Sequence, residues 1–288
     1  MIDLHTHSTV SDGTDSPREL VALAAAVPLT ALAVTDHDTL EHVEEATAAG
    51  VEHGVRVVPA CELSCTVPPG VGAMHLLVYF PNLAGPLSPR LRDLQHARST
   101  RNELIVARLR HAGIDVTLDE VLAEAGAGVV GRPHIAAVLV RKGVAASIDE
   151  AFERWLSKGR PAYVERTRLG PEEAIDLAHR SAAVTSLAHP GTLELSADGL
   201  EQFVERLAAT GLDGVECDYA RYSSDEREAL RALAGRHGLV ATGGSDYHGH
   251  NKPGLAVGVG YGDLTVPDDA LAALESRRPP NALGIASQ

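Results

Sequence analysis

The sequence has few aromatic residues, few cysteines and no long apolar run. Phe, Trp and Tyr together make up 3% of its 288 residues, so its core must be built mainly from Ala, Leu and Val. Apolar residues still amount to 44%, which is enough to bury a sizeable core. No apolar run reaches the length that spans a bilayer, and the first residues do not form a secretion signal. We therefore expect a soluble protein with no membrane partner, of a length that suits one large domain or two ordinary ones.

The three cysteines, Cys61, Cys65 and Cys217, are an odd number and do not predict a disulfide framework. Cys61 and Cys65 lie four residues apart, but the sequence has no second pair with which they would form a zinc knuckle. Such cysteines are typical of buried thiols in a reducing compartment. The cysteine content therefore predicts a cytoplasmic protein.

Positive charge is also scarce, because 25 Lys and Arg face 39 Asp and Glu and give a formal charge of −14. A pI near 5.4 argues against a broad electrostatic surface for long duplex nucleic acid. A local basic pocket for a single phosphate is compatible with this charge. Bound cations would offset part of the negative charge, since the formal sum counts carboxylates without their metal ions.

Strand and helix patterns alternate along most of the chain. Residues 29–35 form a nearly continuous apolar run, typical of a parallel strand buried on both faces. Residues 16–19 (Ser-Pro-Arg-Glu) combine an N-cap, a proline and a glutamate three residues after the cap, which predicts a helix start. Residues 86–159 contain helical patterns alone. We therefore predict an α/β fold, in which residues 1–85 and 160–288 form a parallel sheet with right-handed helical crossovers and 86–159 an inserted helical subdomain.

The first predicted strand carries two histidines, His5 and His7, with one residue between them. Residues i and i+2 of a strand point to the same face, so both imidazoles would be aimed at one place. A divalent metal ion requires such an arrangement. Taken alone, the pair is better explained as two surface histidines on an edge strand. The other predicted strands favour the metal interpretation.

Nearly every other predicted strand also leads to a histidine or a carboxylate. In α/β barrels the carboxyl ends of the strands form one rim, where active sites lie. The donors are nitrogen and oxygen atoms, which favours Mn, Zn or Fe over soft metals, and they are too many for one ion. Each has a simpler interpretation by itself, as a turn residue, a helix cap or a buried core histidine. Besides His5 and His7, the candidates are Asp12, Asp36, His37, Glu62, His75, His189, Asp246 and His248.

The motifs that contain these residues resemble those of the PHP (polymerase and histidinol phosphatase) family within the amidohydrolase superfamily. The resemblance covers nearly the whole chain. It implies a distorted seven-stranded (β/α) barrel and a metal-dependent phosphoesterase. The motifs are His5-Thr6-His7, Ser11-Asp12-Gly13, Thr35-Asp36-His37-Asp38, Glu62, His75, His189-Pro190-Gly191 and Ser245-Asp246-Tyr247-His248.

The resemblance also implies how the ligands are shared among two or three divalent ions, with Mn favoured and Zn or Fe as alternatives. Glu62 would bridge the first two ions. The first site would contain His5, His7, Glu62 and Asp246. The second site would contain Glu62, His75 and His189, and the third Asp12, His37 and His248.

The helical insertion resembles that of one PHP branch, the phosphoesterases that act on 3′,5′-bisphosphonucleotides and short oligonucleotides. The shared pieces are residues 131–134 (Gly-Arg-Pro-His) and 155–164. Their cations would bind substrate phosphate, because a guanidinium forks onto phosphate oxygens and an ammonium offers a point charge. The alternative is a helix start at Pro133 and a solvated basic turn at 158–160. The candidate phosphate-binding residues are Arg132, His134, Lys158 and Arg160.

The predicted activity is hydrolysis of phosphomonoesters in a small nucleotide or a short oligonucleotide, by hydroxide that metal ions generate from water. No serine or cysteine nucleophile is needed, and Asp246 and His248 are catalytic candidates for transferring the leaving-group proton. One alternative enzyme hydrolyses histidinol phosphate. Another is an amidohydrolase that cleaves C–N bonds, although the lysines available for a bridging role, Lys142 and Lys158, lie in the insertion. A third alternative is a metal-stabilised module without catalysis.

Overall fold

The structure is a computed structural model that describes residues 1–126 and 129–279. The chain divides into two compact units. The barrel unit consists of Met1–Leu91 and Arg168–Gln288, of which 280–288 lie outside the described residues. The helical unit is Arg92–Thr167. The domain boundaries placed at 86 and 159 from the sequence stay a prediction.

Seven strands of the described residues form one sheet in which neighbours in sequence are also neighbours in space. A parallel bridge between Thr6 and Tyr247 brings the end of the last strand beside the first, so the sheet is nearly closed. The predicted seven-stranded α/β barrel is thereby confirmed. The strands are β1 (Ile2–Thr6), β2 (Ala31–Val34), β3 (Arg56–Cys65), β4 (Met74–Tyr79), β5 (Val184–Leu187), β6 (Gly214–Tyr219) and β7 (Val240–Gly244).

Strand β4 runs against its neighbours, which corrects the prediction of a purely parallel sheet. It pairs antiparallel with both β3 and β5, whereas the other hydrogen-bonded strand pairs of the described sheet are parallel. The physical reason is the short connection between β3 and β4, residues 66–73, because a parallel crossover needs about a dozen residues or more. The reversal places His75, at the start of β4, opposite Ser64, near the end of β3.

Helices pack against the strands of the barrel unit. As predicted, α1 begins with a capping box, in which Ser16 Oγ accepts the N–H of Glu19 and the Glu19 carboxylate accepts the N–H of Ser16. Leu20 of α1 then packs in one buried cluster with Leu32 of β2. The helices of this unit are α1 (Pro17–Ala26), α2 (Val43–His53), the start of α3 (Leu87–His111), α7 (Pro171–Arg180), α8 (Ala197–Ala209), α9 (Ser224–Arg236) and α10 (Asp268–Ser276).

The barrel interior contains aliphatic side chains and a buried tyrosine. Leu4, Val58 and Leu77, from three different strands, belong to one buried cluster. Tyr79 is fully buried in the same cluster and donates its hydroxyl hydrogen to Leu4 O at 2.9 Å. Each buried aliphatic side chain contributes about 1.5–3 kcal/mol to folding, so this cluster fixes the strands that carry the polar site.

The helical unit is built on the greater part of α3. Ile105 of α3 is fully buried together with Ile135 of α5 (Arg132–Arg141). Arg101 of α3 donates from Nε to Val164 O at 2.8 Å and so ties the returning segment to the helix. Among the described residues, no helix combines the length and the apolar character that a bilayer span requires. The remaining helices of this unit are α4 (Leu118–Ala125) and α6 (Ile148–Ala151), which continues as a π-helical turn (Phe152–Leu156).

Candidate metal centre

The two histidines of the first strand converge in the structure. His5 in β1 and His7 just after it are fully buried, and their Nε2 atoms lie 3.1 Å apart. Ring nitrogens at this distance can share one proton or bind one cation together. Their burial rules out the interpretation of the pair as surface residues of an edge strand.

Glu62 lies at the centre of the cluster. It lies inside β3 rather than after it, three residues before the strand ends. Its carboxylate is 1% exposed and, among the described residues, lies within 3.5 Å of five imidazoles. The two oxygens face different imidazoles, as the oxygens of a bridging ligand do. Oε2 lies 3.5 Å from His5, 3.2 Å from His7 and 3.0 Å from His37, and Oε1 lies 2.9 Å from His75 and 3.0 Å from His189.

A further set of ligand atoms surrounds Asp12, whose side chain is 47% exposed. Asp12 Oδ1 lies 3.3 Å from His248 Nε2 and 3.6 Å from His7 Nδ1. Asp12 Oδ2 lies 3.6 Å from His37 Nε2. His37 therefore has one ring nitrogen near Asp12 and the other near Glu62, which joins this exposed set to the buried centre.

Asp246 faces the cluster with one oxygen and the protein with the other. Its Oδ1 lies 3.5 Å from the Nε2 atoms of both His5 and His7. Its Oδ2 accepts a hydrogen bond from the Tyr219 hydroxyl at 2.8 Å and contacts the ammonium of Lys252. The Tyr219 and Lys252 contacts fix the carboxylate so that Oδ1 stays directed at the imidazoles.

Two of the candidate ligands have a backbone conformation that is unusual for residues other than glycine. The backbone angle φ is +54° at Asp246 and +25° at His189. Such conformations cost about 1–3 kcal/mol each and persist only where the surroundings hold them. At Asp246 the backbone N–H donates to His5 O at 2.7 Å, which ties the strained residue to β1.

The assembled atoms fit divalent cations. Donors bound to one ion at about 2.0–2.2 Å lie roughly 2.8–3.6 Å from one another in octahedral or tetrahedral geometry, and the separations above fall in that range. His37 Nδ1 and His75 Nδ1 are buried, and they lie close to Glu62 without the geometry of a hydrogen bond. In the described part of the chain, four overlapping groups of donors could each hold an ion. These groups are His7–Asp12–His37–His248, His5–Glu62–His189, His5–His7–Asp246 and His37–Glu62–His75.

The carboxylates of the cluster are held in their ionised form. Burial alone would raise the pKa of Glu62, but the charges of His75 and His37 outweigh it and hold that pKa well below its usual range. Burial is outweighed in the same way at Asp246, where the charge of His5 holds the pKa low. Metal binding requires deprotonated carboxylates, so these two residues have the appropriate charge at neutral pH.

The two imidazoles of the first strand differ in their electrostatic surroundings. Burial, together with the charge of His248, lowers the pKa of His7 to about 4, so His7 is a neutral donor at neutral pH. Burial acts in the same direction on His5, but Glu216 and the other carboxylates around it raise its pKa well above the usual value. The carboxylates around His5 thus favour positive charge at that place, which a divalent cation would supply.

The sequence matches the PHP domain family over residues 3–165, which include the convergent donors of the first four strands. The chain belongs to the PHP family. This PHP protein is 35% identical to the 5′-3′ exoribonuclease Rnm of Escherichia coli K12 over 251 residues, or 85% of this chain and 84% of Rnm. It is 31% identical to the 3′,5′-nucleoside bisphosphate phosphatase of Chromobacterium violaceum over 259 residues, or 89% of this chain and 90% of that enzyme.

A solved structure from Bifidobacterium adolescentis, described as that of a candidate metal-dependent phosphoesterase, superposes on this PHP protein with a TM-score of 0.77. The two chains are 32% identical, and the superposition covers 96% of each. The predicted fold and the predicted class of enzyme, a metal-dependent hydrolase of phosphoric esters, are confirmed by these similarities.

Asp36 supports the loop of Asp12 and is absent from the four donor groups. Its Oδ1 accepts the N–H of Ser8 at 2.8 Å and the hydroxyl hydrogen of Ser11 at 2.5 Å. His42 Nδ1 lies 3.1 Å from its Oδ2. The buried His42 ring thus adjoins the carboxylate that fixes the loop.

Three residues that contact the ligands were not identified from the sequence, namely Glu216, Tyr219 and Lys252. Glu216 and Tyr219 lie in β6, and a charged residue within this otherwise buried strand was a usable signal for Glu216. Lys252 follows the last ligand motif by a few residues. The local sequence carries no signal that would connect Lys252 or Tyr219 with Asp246.

Two glycines allow the ligand-bearing segments to approach one another closely. A Cβ at Gly13 would lie 2.2 Å from His7 O, and a Cβ at Gly244 would lie 2.4 Å from His5 Cβ. Real side chains do not tolerate such distances. Both positions therefore require glycine if the imidazoles of the first strand are to keep their places.

The helical unit contains the candidates for phosphate binding. Arg132 donates from Nη1 to Leu156 O at 3.0 Å, and its guanidinium lies over the ring of Phe152. His134 Nδ1 accepts the N–H of Gly131 at 3.1 Å, which caps the start of α5. The helix start expected at Pro133 is thus present. The contacts of Arg132 and His134 neither require nor exclude a phosphate.

Lys158 and Arg160 are exposed residues of the same unit. They line an open groove of about 530 Å³ together with Phe152 and with the carboxylates of Asp149 and Glu153. The groove is therefore of mixed charge. Phosphate binding by the four cationic candidates stays a prediction.

Proposed function

We propose that this PHP protein hydrolyses phosphomonoesters of nucleotides, converting a 3′,5′-bisphosphonucleotide into a 5′-nucleotide and phosphate. Trimming of short oligonucleotides from the 5′ end would use the same site. The observation that carries the proposal is the Glu62 carboxylate, whose two oxygens are shared among five imidazoles, three of them buried and two partly buried. The names of the two relatives, a bisphosphate phosphatase and a 5′-3′ exoribonuclease, support this choice of substrate.

We propose two or three divalent ions as cofactors, with Mn preferred and Zn or Fe as alternatives. The support is a set of overlapping donor groups made of imidazole nitrogens and carboxylate oxygens, a mixture that suits these metals. When bound, such ions act as Lewis acids that lower the pKa of water to roughly 7 and neutralise phosphoryl charge.

The protein itself would contribute the orientation of the donors. Glu62 would hold two ions at a fixed separation, because its oxygens face different imidazoles. His7 would bind as a neutral imidazole, in keeping with its lowered pKa. His37 is the residue that can belong to either of two sites, since its ring nitrogens face Asp12 and Glu62.

Asp246 and His248 are the proposed catalytic residues, and their surroundings limit what each can do. Asp246 is ionised and accepts from Tyr219, so it is suited to orienting groups rather than to donating a proton at neutral pH. His248 Nδ1 lies 2.8 Å from Asp246 O, and because a carbonyl accepts, Nδ1 carries the hydrogen. Nε2 of His248 can therefore bind an ion or exchange a proton with the leaving group, but cannot do both at once.

The phosphate group of the substrate is proposed to bind the cations of the helical unit, Arg132, His134, Lys158 and Arg160. Arg132 supports this proposal because its guanidinium is held by Leu156 O and by aromatic rings, which lowers the entropy lost when a phosphate binds. Lys158 supports it as an exposed ammonium beside a groove. We also propose a cytoplasmic location, since the cysteines are buried and unpaired.

A phosphate-release screen of the Mn²⁺-loaded protein tests this proposal. The substrates are adenosine 3′,5′-bisphosphate, AMP, histidinol phosphate and a 5′-phosphorylated short RNA, with chelator-treated protein as the control. We expect the bisphosphate or the short RNA to be hydrolysed fastest, and only with metal. Preference for histidinol phosphate, release of ammonia without phosphate, or metal-dependent melting without turnover would each contradict the proposal and identify one of the alternatives.

A further inference from the structure

Glu216 connects two candidate ligands that come from distant parts of the chain. Its side chain is fully buried in β6. Oε1 lies 2.8 Å from His5 Nδ1, and Oε2 accepts the backbone N–H of His189 at 2.6 Å. One carboxylate thus holds the ring of a residue in β1 and the backbone of a residue that follows β5.

The contact with His5 determines which ring nitrogen carries the hydrogen. A carboxylate accepts, so His5 Nδ1 must donate, and the lone pair of the neutral ring is then on Nε2. Nε2 is the atom that lies 3.5 Å from both Glu62 and Asp246. Glu216 therefore selects the tautomer that presents a lone pair to the cluster.

The contact with His189 holds a strained backbone. His189 has φ +25° and ψ +64°, a conformation that residues with a side chain rarely adopt. The short hydrogen bond from its N–H to Glu216 compensates for this strain at the place where the chain turns. The His189 ring is then directed at Glu62, with Nε2 3.0 Å from Oε1.

We infer that Glu216 is a positioning residue for the metal centre, which sets the tautomer of His5 and the backbone of His189 so that both present Nε2 to Glu62. The inference rests on the proposed metal-binding function of His5 and His189. It does not depend on which nucleotide is the substrate.

Glu216→Gln tests this role with little change in shape. Both partners of Glu216 are donors, and glutamine has only one acceptor oxygen, so its NH₂ group must face an N–H. Loss of a side chain that holds a metal ligand by a hydrogen bond typically weakens metal affinity about 10–100-fold. We expect a loss in that range for Zn²⁺ and Mn²⁺, measured by equilibrium dialysis. Unchanged affinity in a folded Glu216→Gln protein would overturn the inference.

Asp213→Asn is the matched control. Asp213 directly precedes β6 and also accepts from a histidine and a backbone N–H, those of His179 and Thr185. We expect wild-type metal affinity in this variant. If it lost affinity as Glu216→Gln does, the effect would be a general loosening of the sheet and the inference would fail.

A measurement on the Zn²⁺-loaded wild-type protein avoids dependence on the folding of a variant. In ¹⁵N-histidine NMR spectra, with His5→Gln used for assignment, we expect His5 to carry its hydrogen on Nδ1. A hydrogen on Nε2 would overturn the inference. If the wild-type protein bound neither metal, the proposed metal centre itself would be wrong, whereas metal binding unaffected by Glu216→Gln would contradict only the role of Glu216.

Discussion

Two carboxylates near the start of β6, Asp213 just before the strand and Glu216 within it, each contact a histidine, and the two contacts differ in how fully the protein satisfies their hydrogen bonds. Asp213 Oδ2 accepts from Thr185 N at 2.8 Å, from Thr185 Oγ1 at 3.2 Å and from His179 at 3.0 Å. The Glu216 contact leads through His5 to Glu62 and Asp246, where imidazoles outnumber carboxylates. The same residue types thus form a contact with satisfied hydrogen bonds at Asp213. Around Glu62 and Asp246 they leave more ligand atoms than the protein itself can satisfy, and these could bind a cation.

The largest expected effect is on activity, which a substitution at Glu62 should abolish and a substitution at Asp213 should leave intact. Glu62→Gln removes the negative charge that five imidazoles share. We therefore expect phosphate release by the Mn²⁺-loaded protein to fall by more than about 100-fold, which exceeds the loss typical of a residue that only positions a ligand. Asp213→Asn should retain activity. The measurement is initial-rate phosphate release, and substantial turnover by Glu62→Gln would remove the basis for the distinction.

The stabilisation of the protein by metal ions should depend on Glu62 and not on Asp213. A cation at a hundredfold its dissociation constant stabilises the folded state by about 2.7 kcal/mol, which for a chain of this size corresponds to a rise in Tm of roughly 4–5 °C. We expect this shift when Mn²⁺ is added to chelator-treated wild-type or Asp213→Asn protein. In Glu62→Gln the shift should be much smaller, and an equal shift in all three proteins would place the bound ions elsewhere.

Gly244→Ala tests whether the close approach of β7 to β1 matters. The new Cβ would lie 2.4 Å from His5 Cβ, and overpacking of this kind costs about 1–3 kcal/mol. We expect lower stability in urea and weaker Mn²⁺ binding. The control is Gly235→Ala in α9, where no atom lies within 4 Å of the new Cβ and the change should stabilise by up to about 1 kcal/mol. Equal effects of the two substitutions would contradict the argument.

The smallest effect concerns the satisfied contact. The hydrogen bond to Asp213 raises the pKa of His179 above its ordinary 6.5, so His179 binds a proton more tightly in the folded state. Its stabilisation is then complete below about pH 6.5 and is lost as the pH rises through the raised pKa. His179→Asn should cost no more than about 1 kcal/mol at pH 5.5 and less at pH 9, measured by urea unfolding. A larger destabilisation by His179→Asn at pH 9 than at pH 5.5 would contradict a raised pKa of His179 in the folded protein.

Local chemistry explains what was predictable from the sequence. The shared face of His5 and His7 follows from strand geometry, and the start of α1 follows from the capping box at Ser16. The reversal of β4 depends on the short connection of residues 66–73, whose length follows from the end of β3 at Cys65, and the residue pattern does not mark that end. Glu216 contacts His5 and Tyr219 contacts Asp246, and both partners are distant in the chain, so local patterns do not show which residues these side chains hold.

The left-handed backbone at His189 and Asp246 has a consequence for how this barrel could change over time. Glycine would adopt these conformations at lower cost than histidine or aspartate. Selection for stability alone would therefore replace both residues. In a descendant that had lost catalytic activity, these two positions should be among the first to change. The pair thus offers a simple criterion for separating active members from inactive ones among sequences that share this fold.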